Sequence, residues 1–476
     1  MKRDGFRVGL VLAVGFSLMM SVWYGVMCLV NHSHYQTFGD LAIFNQAIWQ
    51  YSQFKWPYST FHLNRPFLGD HFHPLLMVLA PLYWIWPGEE TLLVAQAVLL
   101  MSAMIPLYLI GYKLTKSAFF SLCVIFAYAF YLPLQYTMFF DFHEIALFPP
   151  LFAWTYWAFL EKKRAWVWIG MVIMLLVKEE VGFFVASFGL YLLLFHKGWR
   201  KMGLFWAGFG AVYSVVVVQW VIPKIGGSNI YLGYGEVGQT PAEVLVSFLK
   251  NPIGILGMFV DAPEKIETLH RTFWPYGYLS LLSPLGVMLS LEQFFTRFVD
   301  QVNTSRWTIG YHYSAMIAVV VPIGAMWTAG FYSKFVPRWR TVVLIGLGIL
   351  LVVLTRVEQI NRSAVLMIKR PQFWSRDVWM DRVDKAVSLL PDGVSVATQR
   401  NIVAHVSTRL GVYPLNDMES QGEYILVDFH PGQAEYNFYA LGNWQEVEEK
   451  IQAEIASGKL EVVYNEAQVY LLKKRG

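Results

Sequence analysis

The sequence predicts a mainly α, polytopic membrane protein that ends in a small α/β soluble domain. Of its 476 residues, 56% are hydrophobic and only 15% are charged, against about 25% charged in a soluble domain. Aromatic residues make up 17%, and such rings gather where a bilayer meets water. From about Trp374 the composition turns to that of a soluble domain. An ordinary water-soluble enzyme is therefore excluded. The net charge of +4 is too small a surplus for nucleic-acid binding and fits basic cytoplasmic loops instead. The two cysteines, Cys28 and Cys123, lie inside apolar runs, which excludes a disulfide framework and a thiolate metal site.

The chain opens with Lys2, Arg3 and Arg7 ahead of an apolar stretch over residues 8–30. That stretch is too long for a secretory signal and lacks a small-residue cleavage site, so it reads as an uncleaved first span with its basic end in the cytoplasm. A helix needs about 20 apolar residues to cross a core of about 30 Å. Runs at 91–112, 117–140, 145–160, 203–222, 313–331 and 341–354 are the strongest further spans, and the whole region 1–360 is expected to hold about 9 to 11 membrane helices, short or broken ones included. Basic clusters orient them: Lys113 with Lys116, Lys162 to Arg164, Lys197 with Arg200 and Lys201, and Lys334 with Arg338 and Arg340. The positive-inside rule puts each cluster in the cytoplasm.

Parity decides the stretch 166–195, which is apolar except for Lys178, Glu179 and Glu180 and carries basic clusters at both flanks. A single crossing would leave one cluster outside, so the chain goes up and returns, turning at the charged triplet. Each arm has roughly 12 to 15 residues, or roughly 18 to 22 Å at about 1.5 Å per residue, and the turn stops short of the far surface. Charges at that depth are costly unless solvated or paired, which makes them functional candidates. The same parity places long loops at 31–90 and 223–311 outside. Within the first, 73–86 is too short to cross. Within the second, Gly226, Gly227, Ser228, Gly233, Gly235 and Gly238 form a loop signature, and 253–260 with 278–290 read as a re-entrant or interfacial pair.

A linker at 361–373 leads to an extracytoplasmic α/β domain at 374–476. Its expected elements are a helix at 381–390, a strand at 394–397, a helix at 402–409, a buried strand at 424–428, a helix at 444–457 and a closing pair of strands at 461–464 and 469–472.

Several residues in the external segments could carry chemistry. Asp40 precedes an amphipathic helical pattern, where it serves either as an N-cap or as a general base or metal ligand at the membrane surface. His71 and His73 stand one residue apart ahead of Pro74, so an extended backbone puts both rings on one face. Asp141 and Glu144 have capping-box spacing, which leaves His143 between them unexplained. Glu179 and Glu180 diverge by about 100° on a helix, so one can face a cavity while the other pairs with Lys178. Arg271, Arg306, His312 and Tyr313 bring cations and rings to the same side, where an Arg holds a phosphate or snorkels toward headgroups.

At these residues the chain resembles an uncharacterised prokaryotic family of multi-pass membrane proteins, a domain of unknown function. The resemblance rests on Phe38, Gly39 and Asp40 with Gln46, on His71, His73 and Pro74, on His143 and Glu144, on Lys178 to Glu180, on His312 and Tyr313, and on Leu390 with Pro391 and the segment 424–428. It names no activity. More remotely, the chain is similar to the C-type-fold (GT-C) glycosyltransferases, which use polyprenyl-phosphate sugars; Asp40 matches their first-loop acid by position, while the adjacent acidic pair common there is absent. The likeness implies an inverting transfer at the outer face of the cytoplasmic (inner) membrane, from a polyprenyl-phosphate-linked donor to an acceptor that the sequence does not name. It implies Asp40, Glu179 and Glu180 as catalytic residues and Lys178, Arg271, Arg306, His312 and Tyr313 as substrate-binding residues. A divalent ion, magnesium or manganese, would be held by His71, His73, His143 and Glu144. Two alternatives stand beside this: a transporter or lipid flippase with an intramembrane Lys-Glu-Glu site, and a non-catalytic envelope scaffold.

Overall fold

A computed structural model describes residues 2–62, 64–227, 234–360, 364–415, 421–438 and 444–475. Ser228 and Gly233 of the glycine-rich loop signature, and the first residues of the linker, lie outside the described residues. Among the described residues, five helices are long and apolar enough to cross a membrane: Asp4–Ser33, Glu89–Thr115, Lys197–Gly226, Ala315–Phe335 and Arg340–Gln359. The pair Ala118–Ala129 and Leu132–Phe139, bent by 44°, is apolar enough to make a sixth if it crosses as one broken span; Pro133 enters at the start of its second helix. The bend turns the chain through Phe140 toward Asp141. A shorter helix, Phe148–Leu160, follows.

The expected hairpin is present, as Arg164–Leu175 and Val181–Phe195 joined through the Lys178 turn. Its second arm packs along the next span by way of glycines. A Cβ on Gly182 or Gly189 would stand 2.6 Å or less from the backbone of that span, and one on Gly203 or Gly210 would stand 2.5 Å from the backbone of the hairpin arm. Only the missing side chains let the two helices approach so closely. Ser214 Oγ then donates to the Glu179 carbonyl at 2.6 Å, and Leu75 N–H donates to the Leu176 carbonyl at 2.9 Å. The turn is thereby fixed between the long span and the first loop. That span holds a π-helical segment at Val217–Val221, a departure from α geometry common near functional sites.

The four basic clusters come together at one end of the bundle. Lys113 pairs with Glu161 at 2.8 Å, Arg164 donates to the Gly198 carbonyl at 2.6 Å, and Arg340 donates to the Thr115 carbonyl at 3.1 Å. The hairpin turn, the first loop and the C-terminal domain lie toward the other end.

The segment 223–311, expected as the second external loop, differs from the expected pair of apolar pieces. The piece at 253–260 is the short helix Pro252–Gly257, and the piece at 278–290 continues as the helix Pro284–Phe298. Between them lies Pro263–Phe273, an amphipathic helix too polar for the apolar-run criterion to find.

In the first loop, strands β1 (Tyr58–Ser59) and β2 (Arg65–Pro66) form a minimal antiparallel pair. The C-terminal domain holds β3 (Val396–Thr398), β4 (Val412–Pro414), β5 (Tyr424–Asp428), β6 (Leu460–Glu466) and β7 (Val469–Lys474), in the order β4-β3-β5-β7-β6. β3 pairs parallel with β4 and β5, and β7 pairs antiparallel with β5 and β6. The helices Val378–Leu389 and Trp444–Ala456 cover it. The helix expected at 402–409 is only a 3₁₀ turn, Val403–Val406, because the chain beyond it turns onto the first loop. Asn45 donates to Ser407 Oγ at 2.7 Å, and Gln46 Nε2 donates to the carbonyls of Arg409 and Leu410 at 3.1 and 3.0 Å.

Candidate functional site

The first loop carries the helix Gly39–Ser52, and its N-cap residue Phe38 makes no side-chain capping bond. The orphan amides are satisfied from a distant segment. The Asp141 carboxylate accepts from Phe38 N–H at 3.0 Å and from Leu41 N–H at 3.1 Å. This corrects both capping expectations: Asp40 does not cap this helix, and Asp141 caps it rather than the helix that follows in its own segment. Asp141 is held in place by Gln96, a fully buried side chain whose Nε2 lies 3.2 to 3.5 Å from the carbonyls of Thr137, Met138, Phe140 and Asp141 and whose Oε1 accepts from His143 N–H at 3.0 Å. Burial, followed by the charge of Asp40, pushes the Asp141 carboxyl up to about 7.

Freed from capping, Asp40 faces a cavity of about 290 Å³. The cavity wall includes every residue expected from the sequence to act in catalysis, substrate binding or metal binding except Arg271, while Asp141 lies behind the wall as a cap. Asp40, His71, His73, His143, Glu144, Lys178, Glu179, Glu180, Arg306, His312 and Tyr313 therefore share one hollow, although they come from five separated segments. Arg271 is elsewhere. It pairs with Glu267 at 2.7 Å and with Glu358 at the end of the last span, so its charge is neutralised away from the cavity.

Of the five acidic groups in the wall, the four singled out from the sequence are not equivalent. Glu144 is buried and sits 2.8 Å from the Lys178 ammonium. Burial alone would raise its carboxyl, but Lys178, His73 and His143 outweigh that and hold it well below the usual carboxylate range. Burial likewise works against the Lys178 charge, and Glu144, Glu180 and Glu179 keep that ammonium charged. Glu179 accepts from His71 Nδ1 at 2.6 Å and from Phe72 N–H at 2.9 Å. Burial opposes its charge too, but His71 and Lys178 hold it down at about 2. It is a strap for the 70–73 segment. Glu180 lies between two cations at longer range, 3.9 Å from Lys178 and 3.5 Å from Arg306. Asp40 is the open one: its side chain is 43% exposed, and the nearest basic nitrogen is His143 Nε2 at 3.7 Å.

His143 is oriented by its other nitrogen, which donates to the Asp141 carbonyl at 2.9 Å. Its ring stacks on His312 with centroids 3.7 Å apart. Burial lowers both imidazoles, His312 the more strongly because His143 and Lys178 also face it. A neutral His143 with Nδ1 as donor presents a lone pair on Nε2 beside the Asp40 carboxylate. Arg306 lies 3.2 Å from Asp300 and over the Tyr313 ring at 5.8 Å.

The four residues expected to hold a metal line the cavity without converging on a point, since His71 is engaged by Glu179, and Glu144 by Lys178. Sequence reasoning missed Asp141 as the non-local cap, Gln96, Asp300 and Asp70. Asp70 directly precedes His71 and stands 3.7 Å from His62 and 3.9 Å from Arg65; its adjacency to the His pair was the available signal. Nothing in the sequence marks Gln96 or Asp300.

A family model described as a predicted membrane protein, DUF2079, matches residues 34–471. No curated protein matches the chain. Among solved structures, it is similar to ArnT from Cupriavidus metallidurans bound to undecaprenyl phosphate, at 12% identity over 97% of each chain with a TM-score of 0.45. It is also similar to ArnT from Cupriavidus metallidurans in the apo state, at 11% identity over 97% of this chain and 98% of that one, with a TM-score of 0.48.

Proposed function

The chain belongs to the DUF2079 family of predicted membrane proteins, and from that premise we propose that it is an inverting glycosyltransferase using a polyprenyl-phosphate-linked sugar. The observation that carries this reading is the division of labour in the cavity. One carboxylate, Asp40, is open and beside a hydrogen-bond acceptor, while two cations, Lys178 and Arg306, flank a loosely held anion, the Glu180 carboxylate. A phosphate would replace Glu180 between those cations, gaining charge-assisted bonds. A sugar attached to it would extend toward Asp40, and the membrane would hold the lipid.

In the reaction, Asp40 takes the proton of the acceptor hydroxyl as its oxygen bonds to the anomeric carbon. The bond from that carbon to the phosphate oxygen breaks, and the electron pair leaves with the lipid phosphate. Lys178 and Arg306 stabilise the charge that develops there. His143 and His312, neutral and stacked, shape the acceptor side. Glu179 acts through His71 as a positioning residue. The wall is rich in imidazoles, and its buried carboxylates are already paired, so it is a poor match for magnesium or manganese, which favour oxygen donors. No step is routed through a metal. On this reading the N-terminus lies in the cytoplasm and the cavity and the C-terminal domain lie outside, at the inner membrane, which the positive-inside distribution of the basic clusters supports.

The test uses the purified full-length protein with polyprenyl-phosphate sugars and measures release of free lipid phosphate. Asp40→Asn is expected to lower turnover by roughly 10² to 10⁴, the range for loss of a general base. An Asp40→Asn protein that turns over at the wild-type rate overturns the assignment.

A further inference from the structure

An apolar surface lies outside the cavity, on two short helices of the segment 223–311. Helix Pro241–Lys250 starts after Thr240, whose hydroxyl accepts from Glu243 N–H at 3.2 Å. Helix Pro252–Gly257 starts after Asn251, whose Oδ1 accepts from Gly254 N–H at 3.0 Å. Between Glu243 and Asp261 the chain carries a single charge, Lys250. A run of that composition comes close to the length of a membrane span, but Pro252 has no N–H with which to continue the first helix, and Asn251 caps a new one. The run therefore breaks into a helix pair, of which the interfacial piece expected at 253–260 is half.

The two faces of the pair differ. Val244 and Ile255 are buried with Val237 and Val299, and Phe248 meets Phe295 edge to face with centroids 5.9 Å apart. Phe295 lies on helix Pro284–Phe298, which leads directly to Asp300 and Arg306. Tyr234 packs on the same cluster, lines the cavity and is hydrogen-bonded to Arg306. The opposite face is bare. Val246, Leu249, Ile253, Leu256 and Val260 are all exposed, Leu249 at 70% and Ile253 at 83%. They recur every three or four residues, the spacing of one helical stripe, and an exposed apolar stripe marks a contact with lipid or with protein.

Two observations favour lipid. The segment follows the span Lys197–Gly226, whose Phe209, Val212 and Trp220 are exposed toward the bilayer. It leads into helix Pro263–Phe273, whose Arg271 pairs with Glu358 at the end of the last span. The stripe thus continues a surface that faces hydrocarbon, at the level where the spans leave it. It also offers almost no hydrogen-bonding side chain, since Asn251 is spent on its cap, whereas a protein interface carries about one hydrogen bond per 100–200 Å². Lys250 stands at its edge, long enough to reach headgroup phosphates.

We propose that the helix pair is a lipid-docking paddle, its stripe inserted among the acyl chains of the leaflet on the cavity's side. Through Phe248 and Tyr234 the paddle reaches the Arg306 side of the wall, so the inserted stripe anchors that side to the bilayer. This holds whether or not the cavity transfers sugar.

The experiment labels single-cysteine variants of the full-length protein, with Cys28 and Cys123 replaced by Ala, using an environment-sensitive fluorophore. Each is placed in nanodiscs of phosphatidylcholine and phosphatidylglycerol with or without brominated acyl chains. Brominated lipid is expected to quench Leu249→Cys and Ile253→Cys as strongly as Val212→Cys on the span, and to leave Glu449→Cys in the C-terminal domain unquenched. Quenching at Val212→Cys but not at the two paddle positions places the stripe in water or against another protein and overturns the proposal. A second arm reads the anchoring through the Val302 and Asn303 amides, which donate to Asp300. Leu249→Asp combined with Ile253→Asp leaves the buried face intact and is expected to speed hydrogen exchange there in nanodiscs; unchanged exchange overturns the anchoring. Both arms are read without turnover, so their failure and that of the glycosyltransfer reading are distinguishable.

Discussion

Asp40 and Asp141 are two carboxylates of opposite circumstance at the same helix start. Asp141 is buried and satisfies Phe38 and Leu41, whereas Asp40 faces the cavity. If Asp40 capped its own helix, its lone pairs would be engaged by backbone amides and it could not act as a base. Asp141→Ala is therefore expected to lower stability by about 1 to 2 kcal/mol, the worth of an N-cap, as read in denaturation of the detergent-solubilised protein. An unchanged midpoint would show that the amides find other partners. Most acidic and imidazole residues of this site, Asp70 and His62 apart, were legible from the sequence because each broke an apolar or loop pattern that had no use for it. Arg271 was misplaced for the converse reason. A cation's partner is invisible in sequence, and Glu358, which neutralises it, lies 87 residues away. The Asp141 cap was illegible on the same ground, since it bridges 103 residues to Phe38.

Among the elements, the hairpin turn and the His71 segment form one strap through Glu179. Glu179 is held at about 2, below its ordinary 4.5, so its contribution is present above 4.5 and is lost as pH falls toward 2. For His71, burial works against the charge but Glu179 outweighs it, and the imidazole is raised above its ordinary 6.5. Its contribution is present below 6.5 and is lost as pH rises through the raised value. The strap is thus complete between pH 4.5 and 6.5. Hydrogen exchange at the Phe72 amide, which donates to Glu179, should be most protected there after correction for intrinsic rates, and Glu179→Gln should flatten the profile. A flat wild-type profile would contradict the strap. Charge parity made this hairpin readable, because only a returning chain keeps both basic flanks on one side. The turn at 402–409 misled because its apolar spacing was helical, whereas Asn45 and Gln46 draw residues 407–410 out of helical geometry. β4 is three residues long and ends in Pro414, too short to leave a period in the sequence.

At the scale of the whole molecule, the membrane helices, the first loop and the segment around Arg306 to Tyr313 assemble around one hollow, and the C-terminal domain is seated on the first loop by buried polar contacts. Gln46 is fully buried and also binds Thr60, donating to its Oγ1 at 2.8 Å and accepting from its N–H at 3.0 Å. Gln46→Leu leaves the carbonyls of Arg409 and Leu410 without this donor, at about 1 to 3 kcal/mol per buried unsatisfied group. Limited proteolysis should then release the C-terminal domain faster than from the wild type, and equal rates would show that this seat contributes nothing. The division into membrane and soluble parts was legible from composition alone; the seating was not, because it depends on amides and hydroxyls that look like ordinary loop residues. The central claim is that Glu180 stands where a lipid-linked phosphate binds, between Lys178 and Arg306, with Asp40 apart from that anion position. It is tested most directly by the affinity of the purified protein for polyprenyl phosphate in the wild type and in the Glu180→Gln, Arg306→Gln and Asp40→Asn variants. The account predicts tighter binding for Glu180→Gln, binding at least about tenfold weaker for Arg306→Gln, equivalent to about 1.4 kcal/mol, and nearly unchanged binding for Asp40→Asn. Equal affinity in all four proteins, or loss of binding in Asp40→Asn alone, would contradict it.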